Sequence, residues 1–255
     1  MDTWQEAVLC LGAALAAGFI NSIAGGGTLL SFPALQWSLG SLVAANTTST
    51  VALLPGSLAG AWGAKKYLAG TRTWLCLLIP ASILGGALGA ALVLEFQSQF
   101  ALLVPWLLVL ASTLFLLQPW LKDPAPPGTP DSLPGKKGLV GLFFFQFIVA
   151  IYGGYFGAGI GILMMASLSY MGIHEIHRVN ALKNILAFAT NTTAALVFAA
   201  TANIHWPVAG SMAIFSVIGG ILGVKLSLKI PRPALRIFII LVGYILAAYF
   251  FWKPS

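Results

Sequence analysis

The stretch NSIAGGGTLLSFP, residues 21–33, interrupts a run of apolar residues that would otherwise predict one long membrane helix. A second glycine-rich stretch, GAGIG at residues 157–161, interrupts the second half of the chain in the same way. Each glycine costs a helix about 1 kcal/mol relative to alanine. Because lipid cannot satisfy the freed backbone groups, such irregular backbone must be buried in protein or line a watery cavity. These two breaks are therefore our first candidates for a functional site.

The composition is that of a membrane protein. The chain has 255 residues, of which 59% are hydrophobic and 7% charged, and its mean hydropathy is +0.93. A soluble domain carries about 25% charged residues, so we predict an all-α polytopic protein in a lipid bilayer. The net charge of +7 comes mostly from short connections between apolar stretches, which indicates orientation signals rather than a nucleic-acid partner. The two cysteines lack metal-type spacing, and we predict no metal and no cofactor.

The apolar pattern predicts five hydrophobic segments in each half of the chain. A proline-rich linker, residues 122–137, separates a first transmembrane repeat, residues 1–121, from a second, residues 138–255. The segment after each break is shorter than the ~20 residues that a span needs, so we expect a half-helix or a steep, partly buried segment there. The predicted segments are 4–24, 28–39, 42–62, 73–94 and 100–120, then 138–156, 160–171, 179–199, 206–228 and a last one that reaches Trp252.

Recurring residues indicate an internal duplication. Gly25 and Gly159 are 134 positions apart, and the same offset carries Gly27 onto Gly161 and Asn46 onto Asn180. A shared offset over many positions is typical of an internal repeat. A further group of glycines follows the same offset, and for that group we expect a role in helix packing. These glycines are Gly85, Gly86 and Gly89, which the offset relates to Gly219, Gly220 and Gly223.

Loop charges indicate that the two repeats are inverted. The connection 65–72 holds three basic residues, whereas its counterpart, 199–206, has none. Conversely, the connection 95–99 has none, and its counterpart, 229–233, carries two. Under the positive-inside rule, equivalent loops then lie on opposite sides of the membrane, as they do in inverted repeats. We predict a multi-pass protein of the cytoplasmic (inner) membrane, with both termini on the outer side and the linker in the cytoplasm.

At these residues the chain resembles the TauE/SafE sulfite exporter family, and the resemblance covers nearly the whole chain. It rests on GGGTLLSFP (25–33), AANTTSTVALLPGSLAG (44–60), GAGIGILMM (157–165) and VNALKNILAFATNT (179–192). The resemblance implies transport of small sulfur-containing or related organic anions, such as sulfite or sulfoacetate, across a cytoplasmic membrane, with export favoured. The first half has Thr47 to Thr50 where the second has Ala181 to Asn184, so a substrate site should be asymmetric.

The breaks are suited to binding an anion. A half-helix that begins after a glycine turn presents unpaired N–H groups and the positive end of its dipole, and broken helices in inverted-repeat transporters hold anionic groups in this way. The alternative is that the glycines only permit tight helix packing. The residues predicted to contact the substrate are Gly25, Gly26, Gly27 and Thr28 at the first break, and Gly159, Ile160 and Gly161 at the second.

Lys183 is the most informative polar residue within a predicted span. Ionisable residues inside spans are costly and usually functional, so we expect Lys183 to contact the anion. The alternative is that its side chain snorkels to the inner face, where Arg178 lies. Other polar residues in the two Asn-containing helices are candidate substrate ligands, although each could instead make an interhelical hydrogen bond. They are Asn46, Thr48, Ser49, Asn180, Asn184 and Asn191.

The acidic residues bear on how transport is energised. All six lie at segment ends or in loops, so no carboxylate is available as a mid-membrane proton carrier, and no nucleotide-binding loop is present. The coupling ion, H+ or Na+, and the oligomeric state stay open. We predict a secondary transporter that exports small sulfur-containing anions by alternating access. Alternatives are an uptake permease or a passive channel for another small carboxylate or sulfonate, and an intramembrane enzyme, which the missing carboxylates disfavour.

Overall fold

The computed structural model describes residues 3–23, 25–63, 65–121, 135–170, 172–201, 204–226 and 232–252. Within these ranges the chain forms ten α-helices and a short 3₁₀ helix, Lys65–Leu68. Seven of the helices are long and apolar enough to cross a membrane, which confirms the predicted all-α polytopic class. Residues 122–134 of the predicted linker lie outside the described ranges. The helices are α1 Thr3–Ile23, α2 Thr28–Leu39, α3 Leu42–Gly63, α4 Arg72–Glu95, α5 Gln97–Leu117, α6 Lys136–Tyr155, α7 Ile160–Tyr170, α8 Ile176–Thr201, α9 Trp206–Leu226 and α10 Arg232–Trp252.

The helix that follows each break is short. Helix α2 has 12 residues and α7 has 11, and at about 1.5 Å per residue neither can cross a hydrocarbon core of about 30 Å. Helix α2 runs back along α1, since the Cys10 Sγ faces the Ala34 carbonyl at 3.7 Å and Gly27 lies directly against the Ala17 carbonyl. The first break is therefore the tip of a hairpin.

Glycines let the two halves of the chain pack closely. Helix α1 packs along α9, and the equivalent α6 packs along α4. A Cβ on Gly223 would lie 2.6 Å from the Phe19 carbonyl oxygen, and one on Gly85 would lie 2.5 Å from the Phe147 carbonyl oxygen. The same holds throughout the predicted packing group, which confirms that prediction. A Cβ built on any member would lie less than 3 Å from backbone atoms of a neighbouring helix: Gly85, Gly86, Gly89, Gly219, Gly220 and Gly223.

Equivalent helices of the two halves run antiparallel where they touch. In the α3–α8 pair, the Asn184 amide donates to the Gly60 carbonyl (3.4 Å), whereas the His205 N–H, just beyond α8, donates to the Thr48 hydroxyl (3.1 Å) near the start of α3. In the α5–α10 pair, Trp106 packs on Phe251 with ring centroids 5.1 Å apart, and Ser112 contacts Gly243. These directions support the inverted-repeat prediction, while the orientation in a membrane stays a prediction.

The single offset of 134 residues is wrong at the breaks. Gly25 and Gly157 have the same left-handed conformation, with φ of 71° and 79°. Their N–H groups donate to the carbonyls of Ile20 and Tyr152, at 3.2 and 3.1 Å. Both pairs of positions are 132 apart, so Gly25 corresponds to Gly157 rather than to Gly159.

The two-residue difference arises in the connection that follows the short helix. Gly40 after α2 and Gly172 after α7 also have positive φ, 69° and 103°, and are 132 apart. Ser41 caps α3 through the Ala44 N–H (3.3 Å), and Glu175 caps α8 through the Arg178 N–H (2.8 Å). These two caps are 134 apart. Two extra residues between Gly172 and Glu175 restore the predicted offset for all later helices.

Basic residues collect at one end of the helix bundle. Tyr67, beyond α3, stacks on His177 at the start of α8 with centroids 4.8 Å apart, and Gly63 at the end of α3 lies against Val224 near the end of α9. Helix α4 then leads from this end to Glu95 at the other. We call the first end the basic end. Its basic residues include Lys65, Lys66, Arg72, Arg178 and Lys225.

Candidate functional site

A cavity lies between the two breaks and the α3–α8 pair. Its empty space, including the part continuous with solvent, is about 590 Å³. It is lined by α3 residues between Thr50 and Gly60 and by α8 residues between Lys183 and Asn191. Because α3 ends and α8 begins at the basic end, the cavity lies in the half of the bundle nearer that end.

Most of the cavity lining comes from equivalent positions of the two halves. Residues of the two breaks match at an offset of 132, and residues of α3 and α8 match at 134, so the cavity lies where the two halves meet. The remaining lining residues are Ser22, Gly60, Phe156, Gly161 and Lys183. The equivalent pairs are Asn21 and Gly153, Gly25 and Gly157, Thr28 and Ile160, Thr50 and Asn184, Leu53 and Ala187, and Ser57 and Asn191.

Lys183 is the charged residue among the described residues that line the cavity. Its side chain is 1% exposed, and its Nζ donates to the Asn21 main-chain carbonyl at 3.1 Å. The side chain is thus turned inward and does not snorkel to the inner face. No carboxylate belongs to the described lining, and a buried charge without an opposite charge is costly. A bound anion would compensate that charge.

Asn21 joins the first break to Lys183. Its side-chain Oδ1 accepts the N–H groups of Gly26 (2.9 Å) and Gly27 (2.7 Å), while its main-chain oxygen accepts Lys183 Nζ. Two N–H groups that the sequence predicted to be free for an anion are therefore already bonded within the chain. The missed signal was an asparagine in the last turn of a mostly apolar helix, four residues before the glycine run begins.

Comparison with known proteins agrees with the resemblance drawn from the motifs. The family model described as sulfite exporter TauE/SafE matches residues 10–250. The chain belongs to the TauE/SafE sulfite exporter family. It is 27% identical over 248 residues to a probable membrane transporter protein of Haemophilus influenzae, covering 94% of this chain and 92% of that protein. It is 26% identical over 236 residues to the probable membrane transporter protein YfcA of Escherichia coli K12, covering 92% and 86%. This chain is thus a membrane transporter of the TauE/SafE family.

The structure of this TauE/SafE protein brings part of the predicted site to the cavity. The breaks meet, since a Cβ on Gly25 would lie 2.7 Å from the Gly161 Cα. Ten cavity residues were not predicted, and several of them follow the corrected offset or are small. The ten are Asn21, Ser22, Thr50, Leu53, Ser57, Gly60, Gly153, Phe156, Gly157 and Ala187. The predicted residues that line the cavity are Gly25, Thr28, Ile160, Gly161, Lys183, Asn184 and Asn191.

Other predicted residues contact the protein outside the cavity. The Thr48 hydroxyl accepts the His205 N–H, and the Ser49 hydroxyl lies 2.6 Å from the Ser31 hydroxyl. These contacts fix neighbouring elements, as the alternative of interhelical hydrogen bonding predicted. The predicted residues outside the lining are Gly26, Gly27, Asn46, Thr48, Ser49, Gly159 and Asn180.

Asn46 and Asn180 play matching structural roles in the two halves. The Asn46 side-chain N–H donates to the Tyr155 carbonyl at the end of α6 (3.0 Å), and that of Asn180 donates to the Ser22 carbonyl near the end of α1 (3.5 Å). Each asparagine thereby satisfies a carbonyl that a broken helix leaves free. Both Oδ1 atoms are buried, and within the described chain neither has a hydrogen-bond partner.

Phenylalanines form an apolar wall beside the cavity. Phe156, which lines the cavity, packs edge-on against Phe32 with centroids 5.4 Å apart and lies 6.4 Å from Phe100. Phe250 continues the cluster from Phe32 at 6.2 Å. Phe100 lies near the start of α5, at the end of the bundle that α4 reaches from the basic end, so this cluster lies on the side of the cavity away from the basic end.

Proposed function

We propose that this transporter exports small sulfur-containing oxoanions, of the sulfite or sulfoacetate kind, across the cytoplasmic membrane. The observation that carries the proposal is Lys183, which is buried in the cavity with a main-chain carbonyl as its contact and no carboxylate in the described lining. Ionisable residues held inside a membrane protein mark substrate and ion pathways. The family name supports sulfite as the first compound to test.

The arrangement of the cavity supports alternating access. The two breaks meet at Gly25 and Gly161, and α3 runs antiparallel to α8 beside them, as expected for transporters that rock one inverted repeat against the other. The cavity lies nearer the basic end, and the phenylalanine wall lies on its other side. If the basic end faces the cytoplasm, the cavity lies toward the side from which an exporter takes its substrate.

Transport by purified protein in liposomes tests this function. Liposomes loaded with sulfite should release it at a rate that saturates with internal concentration, and unlabelled sulfite on the far side should accelerate exchange of labelled sulfite. Liposomes without protein give the background. A flux that rises linearly with concentration and shows no exchange would mean a passive channel. Movement of carboxylates but of no sulfur anion would contradict the proposed substrate class.

A further inference from the structure

Asn21 presents two oxygens to the two groups best suited to an anion. Its side-chain Oδ1 lies 2.9 and 2.7 Å from the N–H nitrogens of Gly26 and Gly27, at the positive end of the α2 dipole. Its main-chain oxygen lies 3.1 Å from Lys183 Nζ. One residue thus bridges a helix start in the first half and a buried lysine from the second half.

Asn21 makes the contacts expected of a bound oxoanion, one to the start of α2 and one to Lys183. We infer that Asn21 is a built-in substitute for the substrate: its side chain occupies the Gly26 and Gly27 N–H groups while the cavity is empty, and a substrate oxygen displaces it. The inference rests on the proposed anion transport. Displacement is favourable because an anionic oxygen makes hydrogen bonds about twice as strong as those of a neutral amide oxygen. Asn21 lines the cavity, so a substrate bound there can reach its side chain.

The geometry also narrows the substrate class. The two donor groups are held by two different oxygens of Asn21, so an anion that replaces the side-chain amide and also contacts Lys183 needs at least two oxygens. A carboxylate, sulfite or sulfonate meets this requirement. A monatomic anion such as chloride presents a single centre and cannot reproduce both contacts, so it should bind far more weakly.

The second half has no such device. The position equivalent to Asn21 is Gly153, which also lines the cavity and has no side chain. The equivalent of Lys183 in the first half is Ser49, which bonds to Ser31 instead. The Asn21 amide and the Lys183 amine therefore meet at the first break and have no counterpart at the second. This asymmetry gives the anion one orientation in a cavity that is otherwise built from equivalent positions.

Sulfite binding by detergent-purified protein tests the role of Asn21, with thermal unfolding of each variant as a second readout. Asn21→Ala removes the competitor, so the Kd for sulfite should fall about three- to tenfold, while the melting temperature drops because two N–H groups lose their acceptor. A residue that only supports the fold would lower stability without tightening binding. Asn21→Asp places a permanent carboxylate between Lys183 and the α2 start, so sulfite binding should be lost and the melting temperature should rise.

Gln146→Ala is the matched control. The Gln146 amide is 1% exposed and donates to the Ser82 hydroxyl at 2.8 Å, between α6 and α4 and outside the cavity lining. The Gln146→Ala variant should have a lower melting temperature and an unchanged Kd for sulfite. Chloride at roughly 100-fold excess over sulfite should not displace sulfite from the wild-type protein.

The outcomes separate this inference from the proposed function. If the wild type binds sulfite and Asn21→Ala has an unchanged or raised Kd for sulfite, Asn21 does not stand in for the substrate. The proposed anion transport would not be affected by that result. If Asn21→Ala does not fold, retained sulfite binding by Asn21→Asp would overturn it equally. Failure of the wild type to bind any sulfur oxoanion would overturn the proposed function, and this inference with it.

Discussion

Gly25 of the first break lies directly against Gly161 of the second, and a Cβ built on Gly25 would lie 2.7 Å from the Gly161 Cα. The sequence predicted the two breaks as the functional site because glycine runs interrupt apolar stretches in both halves, and this contact is where they meet. Both sides of this contact are backbone, so no flexible side chain can move aside to make room for a larger residue. The pair therefore sets how closely the two halves approach beside the cavity.

Replacing Gly25 with alanine tests this contact. The substitution combines a positive φ of 71° with a clash against backbone, so we expect loss of transport and destabilisation by more than the ~1–2 kcal/mol that left-handed backbone costs alone. Gly40→Ala is the control, because Gly40 has a φ of 69° and nothing within 4 Å. Equal melting temperatures and equal transport rates for the two variants would show that the contact between the breaks is unimportant.

Replacing two different glycines of α9 with alanine should change the stability of the protein in opposite directions. In α9, a Cβ on Gly223 would lie 2.6 Å from the Phe19 carbonyl oxygen, whereas Gly210 has nothing within 4 Å. Gly223→Ala should destabilise the protein by about 1–3 kcal/mol through overpacking. Gly210→Ala should be neutral or stabilise by up to about 1 kcal/mol through helix propensity. Thermal unfolding in detergent measures both, and a stable Gly223→Ala protein would contradict the close α1–α9 packing.

The helix order was predictable because glycines and apolar runs mark it locally. The sequence predicted a segment over residues 28–39, and α2 runs from Thr28 to Leu39, ending at Gly40 in the left-handed conformation that glycine favours. The repeat offset was predictable for α3 and α8, where asparagines and caps recur. At the breaks it failed, because glycine-rich segments align equally well at 132 or 134, and sequence alone does not show which glycine N–H closes the turn after the helix.

The site was harder to predict than the fold because it depends on tertiary contacts. The N–H groups of Gly26 and Gly27 were expected to be free, yet Asn21 reaches them across the turn. Lys183 was correctly placed inside the protein rather than at its surface, because asparagines on either side of a lysine in an apolar helix favour a polar lining. Thr50 and Ser57 were missed because small hydroxyl residues are common in helix contacts.

The two ends of α4 should be accessible from opposite sides of the membrane. Ala69 and Gln97 are exposed positions that flank this 24-residue helix. In a variant with Cys10 and Cys76 replaced by alanine, Gln97→Cys should react with a membrane-impermeant thiol reagent from outside intact cells. Ala69→Cys, near the basic end, should react only after permeabilisation. Labelling of both positions from the same side would contradict the predicted topology.

Removing the Lys183 amine should separate function from stability. Lys183→Met keeps the length of the side chain but loses the charged hydrogen bond, so the Kd for sulfite should rise about 10- to 100-fold and transport should collapse. Because burying an uncompensated charge is costly, the melting temperature should stay the same or increase. Lys225→Met is the control, since Lys225 is exposed in the last turn of α9 and outside the cavity lining. Wild-type affinity in Lys183→Met would mean that the lysine serves the fold and does not contact the anion.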